Sequence, residues 1–300
     1  MQTPQPSYTK LAQTLGVPEL YLKREDLSPY GSHKGRSIPH MIKTYIGQGN
    51  RNFVISSSGN AALAAIHTVV EHNKNNPAKT ITLKIFVGEK INPTKLEHLK
   101  ATGNQSPPKA GQSAISISQV QNPKQMAFQM DKDGKAKTLR QSNDDLALVG
   151  YNSLATELNQ IPNLNAIFVP TSSGTTAQAL GEWFGTHNPS VQIHIVQTTA
   201  VHPIAKEFDK KFTKQNESVA GAIVDNIAHR KDKVLEIIKK FNGSGWIASD
   251  EEINEAIKLV EENTEIEISP NSALSVAGLK KATGQGSKFS GPVACLITGA

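Results

Sequence analysis

The 300-residue chain has a single cysteine, Cys295. One thiol can form neither an internal disulfide nor a cysteine metal cluster, and no metal is expected. Cys295 sits in the apolar run "VACLITG", which reads as a buried structural thiol. A chain without a disulfide framework suits a reducing compartment, so the expected location is cytoplasmic. Aromatic residues make up 5% of the chain, too few for the stacking platforms of nucleic-acid binding. No apolar run reaches the roughly 18 residues of a membrane helix. The opening "MQTPQPSYTK" lacks the apolar core of a signal peptide. There is no G-x-G-x-x-G fingerprint, no P-loop ending in Gly-Lys-Ser/Thr, and no internal repeat at a solenoid period.

The net charge is +6, but lysines alternate with acids, as in "KEFDKKFTK" and "HRKDKVLEIIKK". This reads as a solvated surface, with neither nucleic acid nor membrane as partner. Six short runs read as strands: 20–25, 52–58, 80–88, 165–170, 191–198 and 293–299. Helical patterns lie between them, in "GNAALAAIHTVVEH", "GYNSLATELNQI" and "TTAQALGEWFG". The clearest is "SDEEINEAIKLVEEN", where Ser249 and Glu252 make a capping box and Ile253, Ala256, Ile257 and Val260 share one face. Strand and helix alternating along the chain predict an α/β protein with mostly parallel sheets. Residues 101–145, rich in Pro, Gln and Lys, read as a loop-rich part of a small domain.

Three junctions carry chemistry. "ISSSGNAALAA" puts Ser57, Ser58, Gly59 and Asn60 between a strand and a helix, where hydroxyls and free amides can hold a carboxylate. "VPTSSGTTAQAL" puts Ser172, Ser173, Gly174, Thr175 and Thr176 before another helix, which suits a small phosphate. "SPYGSHKGR" puts Lys34 after Gly31, Ser32 and His33. Each has a plainer reading. Hydroxyls at helix starts are also simple N-caps, and a lysine is usually surface charge.

In order and spacing, these segments resemble the fold type II pyridoxal-phosphate enzymes, the tryptophan synthase β-like family. "YLKREDLSPYGSHKGRS" resembles its lysine segment and "SSSGNAALAA" its asparagine loop. "PTSSGTTAQALGEWF" resembles its phosphate loop, and "ISPNSALSVAGLKKA" and "VACLITG" its closing elements. Among family members the segments are most similar to those of the threonine synthases. The resemblance implies two domains with open, twisted, mostly parallel sheets. The large cofactor-binding domain would comprise 1–40 and 146–300, and a small mobile domain 41–145. It also implies pyridoxal 5'-phosphate as cofactor, an amino-acid substrate and a homodimer.

Residue by residue, Lys34 would form the Schiff base with the cofactor and then move the substrate's Cα proton. Asn60 would bond the cofactor's phenolic oxygen. Ser57, Ser58 and Gly59 would grip the substrate carboxylate, with Ser142 on the substrate's far end. Ser172, Ser173, Gly174, Thr175 and Thr176 would cradle the cofactor phosphate. Thr298, or alternatively Ser272, would face the pyridine nitrogen. A hydroxyl there favours elimination or replacement over transamination.

The chain departs from the family pattern in three places. The phosphate loop is normally glycine-rich, and here hydroxyls, which can still donate, replace two of the glycines. Ser32-His33-Lys34-Gly35-Arg36 stands where the family usually reads Ser-Phe-Lys-Asp-Arg. "RQSNDDLALVG" stands where threonine synthases hold a substrate phosphate with Asn-Ser and a following arginine. Gln141 and Ser142 could replace the first pair. The arginine position falls near Ala147, Asp144 and Asp145 add negative charge, and Arg140 or Arg36 could compensate. The expected function is an amino-acid lyase of threonine synthase type, acting on a substrate such as O-phosphohomoserine. The alternatives are a threonine or serine ammonia-lyase or a β-replacement enzyme. From another class, the alternative is a non-catalytic relative that serves as a binding module.

Overall fold

The computed structural model describes residues 1–104 and 113–299, which form two units. The first unit spans Met1–Ser28 and Tyr151–Ala300, and the second Pro29–Gly150. The expected boundaries lay after residues 40 and 145, so the division runs further toward the N-terminus on one side and further toward the C-terminus on the other. It assigns Lys34 to the second unit.

The chain begins in the first unit with α1 (Thr9–Leu15) and β1 (Leu20–Arg24). The second unit runs α2 (Lys34–Gly47), β2 (Asn52–Ser56), α3 (Asn60–Asn75), β3 (Thr82–Gly88) and α4 (Pro93–Gly103). It continues with β4 (Ile115–Val120), α5 (Pro123–Lys132), β5 (Lys137–Thr138) and α6 (Leu146–Val149). Back in the first unit come α7 (Asn152–Leu158), β6 (Ala166–Pro170), α8 (Thr175–His187), β7 (Gln192–Thr198) and α9 (Lys231–Lys240). Then follow β8 (Ser244–Ala248), α10 (Asp250–Thr264), α11 (Pro270–Gly284) and β9 (Val293–Ile297).

In the first unit five strands lie in the order β1-β9-β6-β7-β8, and every neighbouring pair is parallel. All residues of β6 and β9 are buried, as expected of central strands covered on both faces. In the second unit four parallel strands lie in the order β4-β3-β2-β5. A separate apolar core there joins α2 and α3 to that sheet through Ile38, Met41, Ile55, Ile66 and Ile85. The capping box at Ser249 and Glu252 forms, with both of its hydrogen bonds made. Ile253, Ala256 and Val260 are fully buried in the first unit's core, and Ile257 packs against it partly exposed.

The stretch 101–145 is not the loop-rich segment that its composition suggests. Residues 105–112 lie outside the described residues; the remainder carries the end of α4, β4, α5, β5 and the turn before α6. Among the described residues β4 pairs only with β3, at the edge of the sheet, and an edge strand tolerates the polar alternation of "ISISQV".

Candidate functional site

In a parallel sheet the loops that leave the carboxyl ends of neighbouring strands converge, and ligands bind in such crevices. In the second unit β2 runs into Ser57, Ser58 and Gly59, and Asn60 opens α3. The backbone N–H of Gly59 donates to Ser57 Oγ at 3.3 Å, which fixes the turn. β5 pairs with β2, so its continuation, residues 139–145, runs along the same edge. There Arg140 Nε donates to Ser142 Oγ at 3.2 Å, and Ser142 donates to Asn143 at 2.9 Å.

Lys34 is the first residue of α2, half-buried, and α2 packs on α3 and α6. No hydrogen bond or ion pair engages its amine among the described residues. The segment 140–146 is tied to the same helix. Gln141 donates to Ser37, Tyr45 donates to Asp144, and Asp144 accepts from the Leu146 N–H at 3.0 Å. Burial and the adjacent Asp144 carboxylate push the Tyr45 phenol well above its ordinary range. The Asp144 charge is therefore held by Tyr45 and by the turn into α6. Ala147, at the expected arginine position, is fully buried.

In the first unit β6 runs into Thr171–Gly174 and then α8. Gly174 caps α8 with φ +93, a left-handed backbone that only glycine adopts freely. A Cβ there would also come within 3.0 Å of Val234 Cγ2. Ser173 and Thr175 share a hydroxyl hydrogen bond of 2.9 Å. Ser172 faces another way. It donates to Asp225 Oδ2 at 3.0 Å and accepts from the Val224 and Asp225 N–H groups at 3.1 and 3.2 Å. Its hydroxyl holds the 224–225 turn onto the loop.

β9 lies beside β6, with Phe168 opposite Cys295, so Thr298 leaves the same edge as the 171–174 loop. Thr298 is buried. Ser272 is fully buried in α11 and bonded to the backbone on both sides of its hydroxyl. It accepts from Gly299 N–H at 3.1 Å and donates to Gly299 C=O at 3.2 Å, while Ser269 also donates to it at 3.1 Å. Ser272 pins the turn that carries Thr298.

Lys34, Ser57–Asn60 and Ser142 thus share the second unit, and Ser172–Thr176, Ser272 and Thr298 share the first. Four neighbours of these groups were not read from the sequence. Tyr45 and Tyr30 in the second unit, and Asp225 and Arg230 in the first, contact site segments through the fold alone. Arg230, buried at the start of α9, donates to Gln178 of α8 at 3.1 Å. An isolated Asp or Arg in a loop carries no spacing signal that would reveal these contacts.

Pyridoxal phosphate requires an amine for its aldehyde, donors for a phosphate dianion and a group for its ring nitrogen. The second unit supplies a half-buried amine with no partner among the described residues. The first unit supplies a glycine-capped helix start beside two hydroxyls, and a buried hydroxyl at the end of the neighbouring strand. Taken singly, each has the chemistry that one part of the cofactor needs.

Comparison with known proteins agrees. The family model for pyridoxal-phosphate dependent enzymes matches residues 1–299. The threonine synthase of Methanocaldococcus jannaschii is 28% identical over 306 residues, covering 95% of this chain and 70% of the relative. The biosynthetic L-threonine dehydratase of Haemophilus influenzae is 23% identical over 304 residues, covering 99% of this chain and 56% of the relative. The chain thus spans little more than half of that second relative's length. Among solved structures, maize serine racemase matches with a TM-score of 0.80 at 19% identity, covering 100% of this chain and 88% of that one. The processed threonine deaminase isoform 2 of Solanum lycopersicum matches with a TM-score of 0.79 at 18% identity, covering 100% and 79%. These two establish the fold. No helix among the described residues is long and apolar enough to cross a membrane. The chain belongs to the family of pyridoxal-phosphate dependent enzymes.

Proposed function

We propose that the chain is an amino-acid lyase of threonine synthase type, acting on an amino acid with a phosphorylated γ-hydroxyl such as O-phosphohomoserine. When bound, the cofactor withdraws electrons from the substrate's Cα and so makes its proton removable. Lys34 would hold the cofactor through its amine and would take and return the substrate's Cα proton. Asn60 orients the cofactor through its side-chain amide. Ser57, Ser58 and Gly59 hold the substrate carboxylate at the start of α3, where the helix end favours an anion. Gly174, Thr175 and Thr176 offer N–H groups to the cofactor phosphate, and Ser173 offers a hydroxyl. Ser172 shapes that loop through Asp225. Thr298 would face the ring nitrogen, with Ser272 of α11 bonded to the Gly299 backbone next to it.

One observation carries the choice of substrate. Arg140 Nε donates to Ser142 Oγ and so brings a cation beside that hydroxyl, while Asp144 accepts from Tyr45 and from the Leu146 N–H. A second reading is elimination of ammonia from threonine or serine. It is favoured by the buried Ala147 at the arginine position and by the bond from Gln141 to Ser37. The test is to incubate the cofactor-loaded protein with each substrate. Release of inorganic phosphate from O-phosphohomoserine supports the first reading. Formation of a 2-oxo acid from threonine or serine, without phosphate release, replaces it with the second. No turnover of any of them would favour a binding module. Homodimer formation, the family expectation, is testable by light scattering.

A further inference from the structure

Lys34 is followed by a glycine, and the structure shows what that glycine is for. Gly31 has φ +69 and needs its conformational freedom, whereas Gly35 is an ordinary helical residue in the first turn of α2. A glycine inside a helix costs about 1 kcal/mol relative to alanine. It is required here by space. A Cβ on Gly35 would lie 2.4 Å from Tyr30 Cδ2 and 2.6 Å from both Tyr30 Cβ and Cγ. Relief would need the base of the tyrosine to move, not only its tip. The turn at Gly31 therefore doubles the chain back and lays Tyr30 across the backbone next to Lys34.

The other end of Tyr30 is anchored in α3. Its ring meets His67 edge-on, with centroids 6.3 Å apart and an interplanar angle of 77°. Its hydroxyl reaches Thr68 and the Glu71 carboxylate, and burial and that carboxylate raise its pKa. α3 is the helix that Asn60 opens, two turns before His67. One side chain therefore spans from the backbone beside Lys34 to the helix of the asparagine loop, all within the second unit.

We propose that Tyr30 is the positioning residue for Lys34. It fixes the first turn of α2 against α3, and so sets the direction in which the lysine stem leaves the helix. Gly35 is the space that this arrangement requires. The inference rests on the assignment of Lys34 as the cofactor lysine. A long, flexible lysine stem gains precision from a fixed base, and a site must hold its groups to about 0.5 Å to work.

The test uses the full chain with added pyridoxal phosphate. Four variants are compared with the wild type: Gly35→Ala, Tyr30→Ala, Tyr30→Phe and the double variant Tyr30→Ala/Gly35→Ala. The readouts are the extent of borohydride fixation of a pyridoxyl group on Lys34, the cofactor dissociation constant and the pH midpoint of the bound cofactor's absorbance. The melting temperature of the cofactor-free protein reports folding. Gly35→Ala should weaken cofactor binding about tenfold or more, as expected for a displaced reacting group. The double variant should bind better than Gly35→Ala, because the clash is gone. Tyr30→Ala should shift the pH midpoint, and Tyr30→Phe should label Lys34 as the wild type does. The proposal is overturned if Gly35→Ala labels Lys34 as the wild type does, or if the double variant is no better than Gly35→Ala. It is also overturned if the binding loss merely tracks the loss in melting temperature with no shift of the midpoint. Failure of the underlying assignment shows separately, as a wild type that takes up the cofactor without labelling Lys34.

Discussion

Lowering the pH should destabilise the first unit through one buried imidazole, His194 of β7. Its ring stacks on Phe168 at 4.5 Å and 7°, and it is 3% exposed. Trp246 Nε1–H donates to Nδ1 at 3.2 Å, so Nδ1 is an acceptor and the ring is neutral. Nε2 then carries the proton and donates to Gln192 Oε1 at 3.0 Å. Burial lowers the His194 pKa from 6.5 to about 3. The folded pKa lies below the unfolded value, so between these two values the unfolded chain binds more protons. Stability is therefore fully present above the unfolded pKa and falls as the pH drops from about 6.5 toward 3. At pH 5 the gap of 1.5 units from the unfolded value corresponds to a loss of about 2 kcal/mol relative to neutral pH. Urea unfolding followed by tryptophan fluorescence at pH 7.5 and pH 5 measures it, since the buried Trp246 reports the same contact. His194→Gln removes the titrating ring and should reduce the pH-dependent loss by about 2 kcal/mol. His40 and His67, also lowered mainly by burial, contribute with the same sign and remain in both proteins. An equal loss in the variant and the wild type would refute the reasoning.

Other perturbations follow from the same geometry. Glu157→Ala removes one partner of Lys23, a fully buried lysine whose Nζ lies 2.5 Å from Glu157 Oε2 and also donates to Thr3 C=O at 2.8 Å. Removing the carboxylate from this buried charge should cost about 3–5 kcal/mol in urea unfolding, and a loss under 1 kcal/mol would contradict a tight buried pair. Gly174→Ala forces a side chain into a φ of +93 and against Val234. It should cost about 1–2 kcal/mol and weaken cofactor binding by more than the melting temperature explains; equal cofactor affinity would argue against the loop's role. Cys295 is buried, and burial pushes its thiol pKa far up. Thiol reagents should label it only at the unfolding rate, and rapid labelling of the native protein would contradict its place in β9.

The parts of the fold legible in the sequence were those whose pattern is set locally. β6, β7 and β9 are short apolar runs ending in small, polar loops, and the sheet places them together in parallel. α10 shows both its cap and its buried stripe. β4 was obscured because an edge strand needs few apolar residues, and β8 because "SGWIA" is short and follows a turn. α2 carries Pro39 inside it, which weakens a helix reading. Within the candidate site, the lysine, the asparagine and the hydroxyl loops were visible as motifs. The roles of Tyr30, Tyr45 and Asp225 were not, since they arise between segments distant in sequence. The same holds for Ser272, whose bonding to Gly299 arises only once α11 and β9 are folded.

The most direct test is to load the purified chain with pyridoxal phosphate, reduce it with borohydride and map the labelled peptide. The account predicts a yellow protein whose colour is bleached by reduction, with the pyridoxyl group fixed on Lys34. A label on another lysine, or a protein that takes up no cofactor, would contradict it.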